Sequence, residues 1–300
     1  MILFWGLPGD TPLSAVADVL SRRRVKTLFL NQHDSLRWSV DLSVGDSISG
    51  YLRNGRQSLD LVDVKAAYVR PYDARQLPAL AGDAPALAHA LNLGEALLAW
   101  ADITPAKVVN RPWAMAPNNS KPYQSLQIRS LGFAVPDTLI TTDPDAARQF
   151  WEKHGTVIYK SVSSVRSIVS RLSSEHAERI KNVRWCPTQF QQYIAGTDYR
   201  VHVVGDRVFP SEIVSQADDY RYASRTGRPA RIRAARLPRE VAERCRRLAA
   251  GVNLPVAGID LRVTAKGEWY CFEVNPSPGF TYYQDATGQP IAEAIAQFLA

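Results

Sequence analysis

The sequence predicts an α/β protein, and two observations indicate this class. The first is a strand–helix–strand unit at the start of the chain, with apolar strand patterns at residues 2–5 and 26–30 and a helical pattern at residues 13–23. The second is that strand and helix patterns continue to alternate along the chain. With 300 residues and 46% hydrophobic content, the chain can form a large core, so we expect two or three compact units.

Short strands and one long helix complete the predicted N-terminal unit. The strands lie within residues 42–69, the helix covers residues 85–100, and residues 107–110 form a further strand. Irregular sequence containing two prolines then interrupts the pattern at residues 111–120. We therefore expect an N-terminal domain over residues 1–117.

The pattern restarts with a helix over residues 121–131 that Gly132 ends, followed by a strand at residues 138–142. Asp143-Pro144 opens the next helix and Gly155 ends it, because proline suits the first helical position. The remaining predicted elements are strands at residues 157–161, 188–193 and 200–204, and helices at residues 239–250 and 291–299.

A β-hairpin is predicted near the C-terminus. Two strand patterns, at residues 259–263 and 269–274, flank Lys266-Gly267, which is typical of a tight turn. If the turn has two residues, partners directly across the hairpin share one face. That register pairs Asp260 with Glu273, Arg262 with Cys271, and Gly258 with Asn275. The other face is predicted to be core and contains Ile259, Leu261, Val263, Tyr270, Phe272 and Val274.

The opposed carboxylates of this hairpin suggest a cation site. Asp260 and Glu273 would repel each other across the strand pair, and a divalent cation would remove that repulsion. Asn275 adds a side-chain oxygen, and three hard oxygen ligands at one place suit Mg²⁺ better than zinc. The alternative is a solvated acidic hairpin in which Arg262 is the local counter-ion.

Four basic side chains earlier in the chain are candidates for binding an anion such as phosphate. Lys160 lies within an otherwise apolar strand, Lys121 lies in the first turn of a helix, and Arg200 follows Asp198 on one strand face. Arg221 begins a stretch rich in arginine. Each also has a plain structural interpretation: an outward-facing lysine on an edge strand, a surface lysine, an Asp–Arg ion pair, and a solvated loop.

Charge and cysteine content exclude several classes of protein. The chain has 36 Lys+Arg against 29 Asp+Glu, a net charge of +7. It has no basic tail, aromatic RNA-binding signature or zinc-finger spacing, so we expect no nucleic-acid partner. Three separated cysteines without a C-x-x-C pair indicate reduced thiols and a cytoplasmic location. No signal-peptide pattern and no apolar window of about 20 residues is present, so we expect no membrane association.

In their order along the chain, these motifs resemble those of the ATP-grasp superfamily, within the branch of ribosomal-protein glutamate ligases and microviridin-type peptide cyclases. The resemblance runs from about Asn110 to the C-terminus, and residues 1–117 resemble a pre-ATP-grasp domain more weakly. It implies an ATP-grasp fold, in which two α+β subdomains, residues 118–186 and 187–300, grip ATP after an α/β pre-ATP-grasp domain.

The resemblance also implies roles for individual residues. The implied nucleotide-binding residues are Lys121, Lys160, Asp198 and the adenine-binding hinge of Gln191, Gln192, Tyr193 and Ile194. The implied Mg²⁺ ligands are Asp260, Glu273 and Asn275. The candidate catalytic residues are Arg200 and Arg221 near the phosphates, and Arg262 for an acylphosphate or a substrate carboxylate.

Three positions depart from the pattern of this branch. Serine-rich residues 161–167 replace the expected glycine-rich loop, Gln192 stands where the ligases usually place Glu, and Ala223 stands where an asparagine is expected. These departures weaken an assignment to glutamate ligation, whereas the three metal ligands are intact.

The reaction implied by the resemblance is ligation of a carboxylate to an amine, dependent on ATP and Mg²⁺, with Mn²⁺ as an alternative ion. It would proceed through an acylphosphate and release ADP and phosphate. The expected substrate is a small molecule or a peptide that carries a carboxylate, and a homo-oligomer is left open. The alternatives are an ATP-grasp phosphotransferase and a non-catalytic nucleotide-binding protein.

Overall fold

The N-terminal unit is built on a parallel sheet. The structure is a computed structural model that describes residues 1–162, 170–215 and 231–300. Its first elements are β1 (Ile2–Gly6), α1 (Thr11–Arg22), β2 (Thr27–Asn31), β3 (Ser39–Val44), β4 (Ile48–Arg53), β5 (Ser58–Asp60), β6 (Ala66–Arg70), α2 (Ala84–Ile103) and β7 (Lys107–Val109). Strands β2, β1, β6 and β7 lie side by side in that order and are parallel. Strands β3, β4 and β5 form a separate antiparallel sheet. The predicted strand–helix–strand opening is confirmed.

Helix α1 begins where its local sequence predicts. The side chain of Asp10 caps the helix by accepting a hydrogen bond from the Leu13 N–H, and Pro12 lies in the first turn. Val16 and Leu20 are fully buried on the face that turns toward the core. Strand β1 is buried along its whole length, as expected for a central parallel strand that is covered on both faces.

The described residues of the central part of the chain contain a small antiparallel sheet and three α-helices, of which the last packs on that sheet. Its elements are α3 (Pro112–Met115), α4 (Lys121–Ser130), β8 (Thr138–Thr141), α5 (Pro144–His154), β9 (Val157–Ser161), β10 (Ser170–Arg171) and β11 (Thr188–Gln192). The strand order is β10, β9, β11, β8. Helix α5 confirms its predicted bounds, because Asp143 caps its start and Gly155 ends it with a φ of 68°.

In the C-terminal part of the chain, the described ranges contain a five-stranded antiparallel sheet and three helices. Its elements are β12 (Thr197–Val204), β13 (Arg207–Val214), β14 (Arg231–Ala234), α6 (Arg239–Gly251), β15 (Val256–Val263), β16 (Trp269–Asn275), α7 (Thr281–Thr287) and α8 (Ile291–Leu299). The strand order is β14, β13, β12, β15, β16. Strand β14 shows that the solvated-loop interpretation of the arginine-rich stretch is wrong for residues 231–234. Three of these four residues are exposed, as expected for a strand at the edge of a sheet, which needs few apolar side chains.

Short 3₁₀ helices occupy several connections, at Gln32–Arg37, Leu61–Asp63, Ala74–Gln76, Pro78–Leu80, Ala116–Asn119, Ser174–His176 and Glu178–Trp185.

Among the described residues, no helix combines the length and the apolar character that crossing a membrane requires.

The C-terminal helix joins the first and last parts of the chain through one core. Ile291, Ile295 and Leu299 of α8 belong to the same buried cluster as Phe4 of β1 and Leu20 of α1. The N-terminal sheet is therefore packed directly against elements that come last in the sequence, and this packing positions the ends of β6 and β16 next to each other.

The predicted hairpin is present, but its connection differs from the prediction. Residues 264–268 link β15 to β16, so the loop has five residues rather than two. A β-bulge between Asp260 and Leu261 then shifts the register by one residue. The longer loop and the bulge offset each other, so Asp260 does pair with Glu273, and Gly258 with Asn275.

Between the bulge and the loop, the predicted faces are reversed on β16. Arg262 pairs with Tyr270 instead of Cys271, and Cys271 is buried whereas Phe272 is only half-buried. A one-residue shift has this effect because neighbouring residues of a strand point to opposite faces. The predicted core positions at Tyr270 and Phe272 are therefore wrong, while those at Ile259, Leu261 and Val274 are confirmed. Val263, the last residue of β15, is half-buried, so its predicted core position is wrong as well.

Candidate functional site

The acidic face of the β15–β16 hairpin lies at the centre of the candidate site. Asp260 and Glu273 are directly opposite each other, and each side chain keeps 26% of its surface exposed. Asn275 lies two pairs further along, on the same face as Glu273, and its Oδ1 accepts a hydrogen bond from the Ser277 N–H at 3.0 Å. In the described ranges no three His, Cys, Asp or Glu side chains are grouped for a metal ion. A third protein ligand would thus come from an amide oxygen such as that of Asn275, and this all-oxygen set suits Mg²⁺.

Arg200 is the basic partner of Asp260. The two residues are paired across β12 and β15, and Arg200 Nη1 donates to Asp260 Oδ1 at 2.6 Å. The guanidinium is almost fully buried and packs against Gly258, where an added Cβ would lie 2.7 Å from Arg200 Cζ. Glycine at position 258 is therefore what allows the guanidinium to reach Asp260.

Lys121 is the basic partner of Glu273. Its Nζ lies 2.6 Å from Glu273 Oε1 and 2.9 Å from Asn118 Oδ1. Gln124, one helical turn later, donates to the Val274 carbonyl at 2.8 Å and accepts from the Val274 N–H at 3.1 Å. These two bonds attach α4 to the edge of β16 and bring Lys121 over the acidic face. The surface-lysine interpretation of Lys121 is therefore wrong.

Arg262 contacts Asp198, which differs from the predicted arrangement. Its Nε and Nη2 donate to the two oxygens of Asp198 at 2.6 and 2.8 Å, and its Nη1 donates to the Ile194 carbonyl at 2.8 Å. The predicted Asp198–Arg200 pairing on one strand is replaced by two cross-strand pairs, because directly opposed residues are closer than residues two apart along a strand. The counter-ion interpretation of Arg262 at Asp260 is wrong for the same reason, since Arg200 has that place.

The hinge residues span the end of β11 and the two residues that follow it. Gln191 is buried and donates to Thr138 Oγ1 at 3.0 Å, and the backbone N–H of Gln192 bonds the Asp137 carbonyl. The Tyr193 hydroxyl accepts from Arg171 at 2.7 Å, and the Arg171 guanidinium stacks 4.2 Å from the Tyr193 ring. Ile194 is buried. Side chains and backbone of the hinge are thus fixed by the small central sheet.

Lys160 lies on β9, as predicted, opposite Gln189 of β11. Strand β9 has neighbours on both sides, β10 and β11, so the edge-strand interpretation of Lys160 is wrong. Arg221 lies outside the described residues, as does most of the serine-rich loop that follows Lys160.

A buried histidine lies beside Arg200 and was missed by the sequence reasoning. His202 is two residues further along β12, is fully buried, and its ring packs edge-on to Tyr283 of α7 at 5.0 Å. Burial, and then the charge of Arg200, lower the pKa of His202 well below 6.5. The imidazole is therefore neutral at physiological pH and adds no positive charge beneath the site. Its only sequence signal is the i, i+2 spacing from Arg200.

Two further residues outside the predicted set contact the site from the N-terminal unit. Buried Asn110 donates to the Val256 carbonyl at 2.6 Å and to the Pro276 carbonyl. Arg70, at the end of β6, donates to Ser277 Oγ at 2.8 Å. Both lie far from the hairpin in sequence, so no local pattern could reveal them.

Comparisons with known proteins agree with this geometry. Residues 119–299 match a family model described as the RimK-like ATP-grasp domain. A probable alpha-L-glutamate ligase of Alkalilimnicola ehrlichii is 32% identical over 145 residues, which cover 48% of this chain and 46% of that relative. The chain thus matches about half the length of this curated relative.

Two solved structures overlap nearly the whole chain. One is the ATP-grasp ligase PsnB complexed with a phosphomimetic variant of its minimal precursor, Mg and ADP, with a TM-score of 0.80 and 26% identity, covering 99% of this chain and 97% of that one. The other is the macrocyclase MdnC of Microcystis aeruginosa MRC bound with the precursor peptide MdnA, with a TM-score of 0.80 and 21% identity, covering 100% and 99%. The second likeness shows the fold alone.

Proposed function

Because the chain belongs to the RimK-like ATP-grasp family, we propose that it is an ADP-forming ligase that joins a peptide carboxylate to an amine. The reaction would use ATP and Mg²⁺ and pass through an acylphosphate. The proposal is supported above all by the pairing of carboxylates with basic side chains at the acidic face of the hairpin. Two opposed carboxylates, Asp260 and Glu273, each have a basic partner within 2.6 Å, Arg200 and Lys121.

This arrangement suits phosphoryl transfer to a carboxylate. Such a reaction needs little covalent chemistry from a protein, but it needs the charge of the transferred group to be neutralised and its position to be fixed. Mg²⁺, held by Asp260, Glu273 and Asn275, would supply positive charge at the phosphate oxygens. Arg200 and Lys121 would turn part of their donor capacity toward the same oxygens, since each group has more N–H donors than its carboxylate partner uses.

The nucleotide would lie between the central sheet and the C-terminal sheet. In the proposed arrangement, the backbone of residues 191–194 contacts the base, Lys160 contacts the phosphates, and Asp198 contacts the ribose. The contacts of Asp198 with Arg262 support a rigid carboxylate, which retains acceptor capacity because each oxygen has more than one lone pair. Arg262 is then a residue that fixes Asp198, and its proposed contact with an acylphosphate is secondary.

The substrate class is inferred from chemistry and from the neighbours. PsnB is described with a variant of the minimal precursor bound, and we extend a peptide substrate to this chain. A net charge of +7 favours an acidic peptide as the carboxylate donor. Attack of an amine on the acylphosphate would form the amide and release phosphate, leaving ADP as the second product.

The decisive experiment substitutes the two opposed carboxylates. Asp260→Asn and Glu273→Gln should each lower Mg²⁺-dependent ADP formation with acidic peptides by at least about a hundredfold, because even outer partners of a metal ligand are worth roughly 10–100-fold. Glu268→Gln is the matched control, since Glu268 is exposed on the loop of the same hairpin. Unchanged turnover in Asp260→Asn would refute the metal assignment.

Trapping with hydroxylamine separates a ligase from a phosphotransferase. An acylphosphate reacts with hydroxylamine to give a hydroxamate, so the proposal predicts a hydroxamate on the peptide carboxylate. A stable phosphorylated product without hydroxamate would identify a phosphotransferase. Nucleotide binding without ADP formation across a panel of acidic peptides and amines would identify a non-catalytic nucleotide-binding protein.

A further inference from the structure

An arginine of the N-terminal unit contacts the turn that follows Asn275. Arg70 ends β6 and lies outside residues 119–299, the segment that matches the family model. Its side chain is only 10% exposed. Nη1 donates to Ser277 Oγ at 2.8 Å and to the Pro278 carbonyl at 3.4 Å. The arginine is thus committed to residues that come two and three positions after the proposed metal ligand.

Asp10 fixes the other side of the Arg70 guanidinium. Arg70 Nε donates to Asp10 Oδ1 at 2.8 Å, and Nη2 donates to Asp10 Oδ2 at 3.1 Å. Asp10 is itself held, because its Oδ1 also caps helix α1 at the Leu13 N–H. Because this ion pair has two hydrogen bonds and the guanidinium is mostly buried, the Arg70 side chain is held in one position.

The same turn determines the direction of the Asn275 side chain. Asn275 Oδ1 accepts from the Ser277 N–H at 3.0 Å, which is an Asx turn. An amide oxygen has two lone pairs, so one stays available for a cation. Ser277 therefore connects the two sides of the turn: its N–H orients Asn275 and its hydroxyl accepts from Arg70.

We propose that Arg70, anchored by Asp10, is a positioning residue for the metal site and acts through Ser277 on the Asn275 oxygen. This inference rests on the proposed function, because it assumes that Asn275 ligates the cation. Contacts from Asn110 to the Pro276 carbonyl support the same role for the N-terminal unit, since that carbonyl belongs to the residue directly after Asn275. The N-terminal unit thereby completes a metal site whose ligands all come from the C-terminal sheet.

The test measures cation binding rather than turnover. Binding of Mn²⁺ in the presence of saturating ADP is followed by the electron paramagnetic resonance signal of the free ion. Arg70→Ala should raise the dissociation constant of Mn²⁺ roughly tenfold, the lower end of what outer partners of a metal ligand contribute. Binding of ADP without metal should stay at the parent value, because none of the Arg70 contacts reaches the hinge residues.

Two milder variants and one control keep the inference testable if Arg70→Ala fails to fold. Ser277→Ala removes the hydroxyl but keeps the N–H on Asn275, and Asp10→Asn keeps the helix cap but weakens the ion pair. Both should raise the Mn²⁺ constant by less than Arg70→Ala. Arg75→Ala removes an exposed arginine of the same unit, which is paired with Asp73 at 3.4 Å, and should leave the constant unchanged.

The outcomes distinguish this inference from the proposed function. If Mn²⁺ binding is lost in Asp260→Asn but is unchanged in Arg70→Ala, the positioning role is refuted and the proposed metal site stands. If Mn²⁺ binding does not depend on Asp260, the proposed function itself fails. An equal loss of metal-free and metal-dependent ADP binding in folded Arg70→Ala would show a general structural role and would also refute the inference.

Discussion

Replacement of Gly258 by alanine tests how Arg200 is seated against Asp260. An alanine Cβ would lie 2.7 Å from Arg200 Cζ and 2.8 Å from the Cβ of Pro278. To reach an ordinary contact of 3.4 Å, Arg200 Cζ would have to retreat by about 0.7 Å, and Nη2, which the new Cβ would approach more closely still, by more than that. Its 2.6 Å hydrogen bond to Asp260 would then lengthen toward the limit of about 3.2 Å for a good N–H···O bond.

The expected cost of Gly258→Ala has two parts. Overpacking a buried position typically lowers the free energy of unfolding by about 1–3 kcal/mol. Here the two residues that the new Cβ would meet, Arg200 and Pro278, are both buried. A displaced Arg200 should also weaken binding of Mg²⁺·ADP by about tenfold, since misplacement of a positioned group by about 1 Å costs up to roughly a hundredfold in function. Urea unfolding gives the free energy of unfolding, and calorimetric titration gives the dissociation constant.

Gly94→Ala is the matched control for this substitution. A Cβ at Gly94, within helix α2, would lie 3.8 Å from the Trp5 ring, which is an ordinary contact. The control should therefore be stabilised by about 0.5–1 kcal/mol through its higher helix propensity. A Gly258→Ala protein with parental stability and parental Mg²⁺·ADP affinity would refute the seating of Arg200 over this glycine.

Two further predictions concern buried titratable groups. The folded pKa of His202 lies below the unfolded value of about 6.5, so the unfolded chain takes up the proton first as the pH falls. The contribution of His202 to the free energy of unfolding is therefore complete above pH 6.5. Below that pH it decreases, by at most about 1.4 kcal/mol per pH unit. His202→Gln should remove this part of the slope in urea unfolding, and an unchanged slope would contradict the assignment. Cys186 is exposed, whereas burial raises the pKa of the Cys245 thiol to about 12 and that of the Cys271 thiol well above 9. A disulfide-exchange reagent should therefore react rapidly with one thiol in the folded protein and with all three after unfolding. Cys186→Ala should abolish the rapid phase, and a second rapid thiol would contradict the packing of β15 and β16 against α6.

Much of the C-terminal site follows from local sequence. Period-two patterns on both sides of one loop are enough to predict a hairpin, and a hairpin brings Asp260 and Glu273 together because its strands are neighbours in the chain. The places of Lys160 on its strand and of Lys121 at its helix start likewise follow from the local sequence.

The register of that hairpin differs in part from the register predicted from the sequence. The one-residue bulge beside Asp260 and the five-residue loop offset each other at the carboxylates, but not at Tyr270, Cys271 and Phe272. The bulge has no local signal in the sequence, because a bulge depends on how both faces of the strand are packed.

The identity, order and spacing of the candidate ligands were determined by the sequence alone, and a hairpin brings them close together because its two strands are neighbours in the chain. The partners of those ligands were decided by the tertiary structure. Arg200 meets Asp260 across 60 residues, Lys121 meets Glu273 across 152, and Arg70 meets Ser277 across 207. Such contacts depend on which strands pair within the C-terminal sheet and on how α4 and the N-terminal sheet pack against it. Periodicity within a single segment carries no information about that pairing or packing.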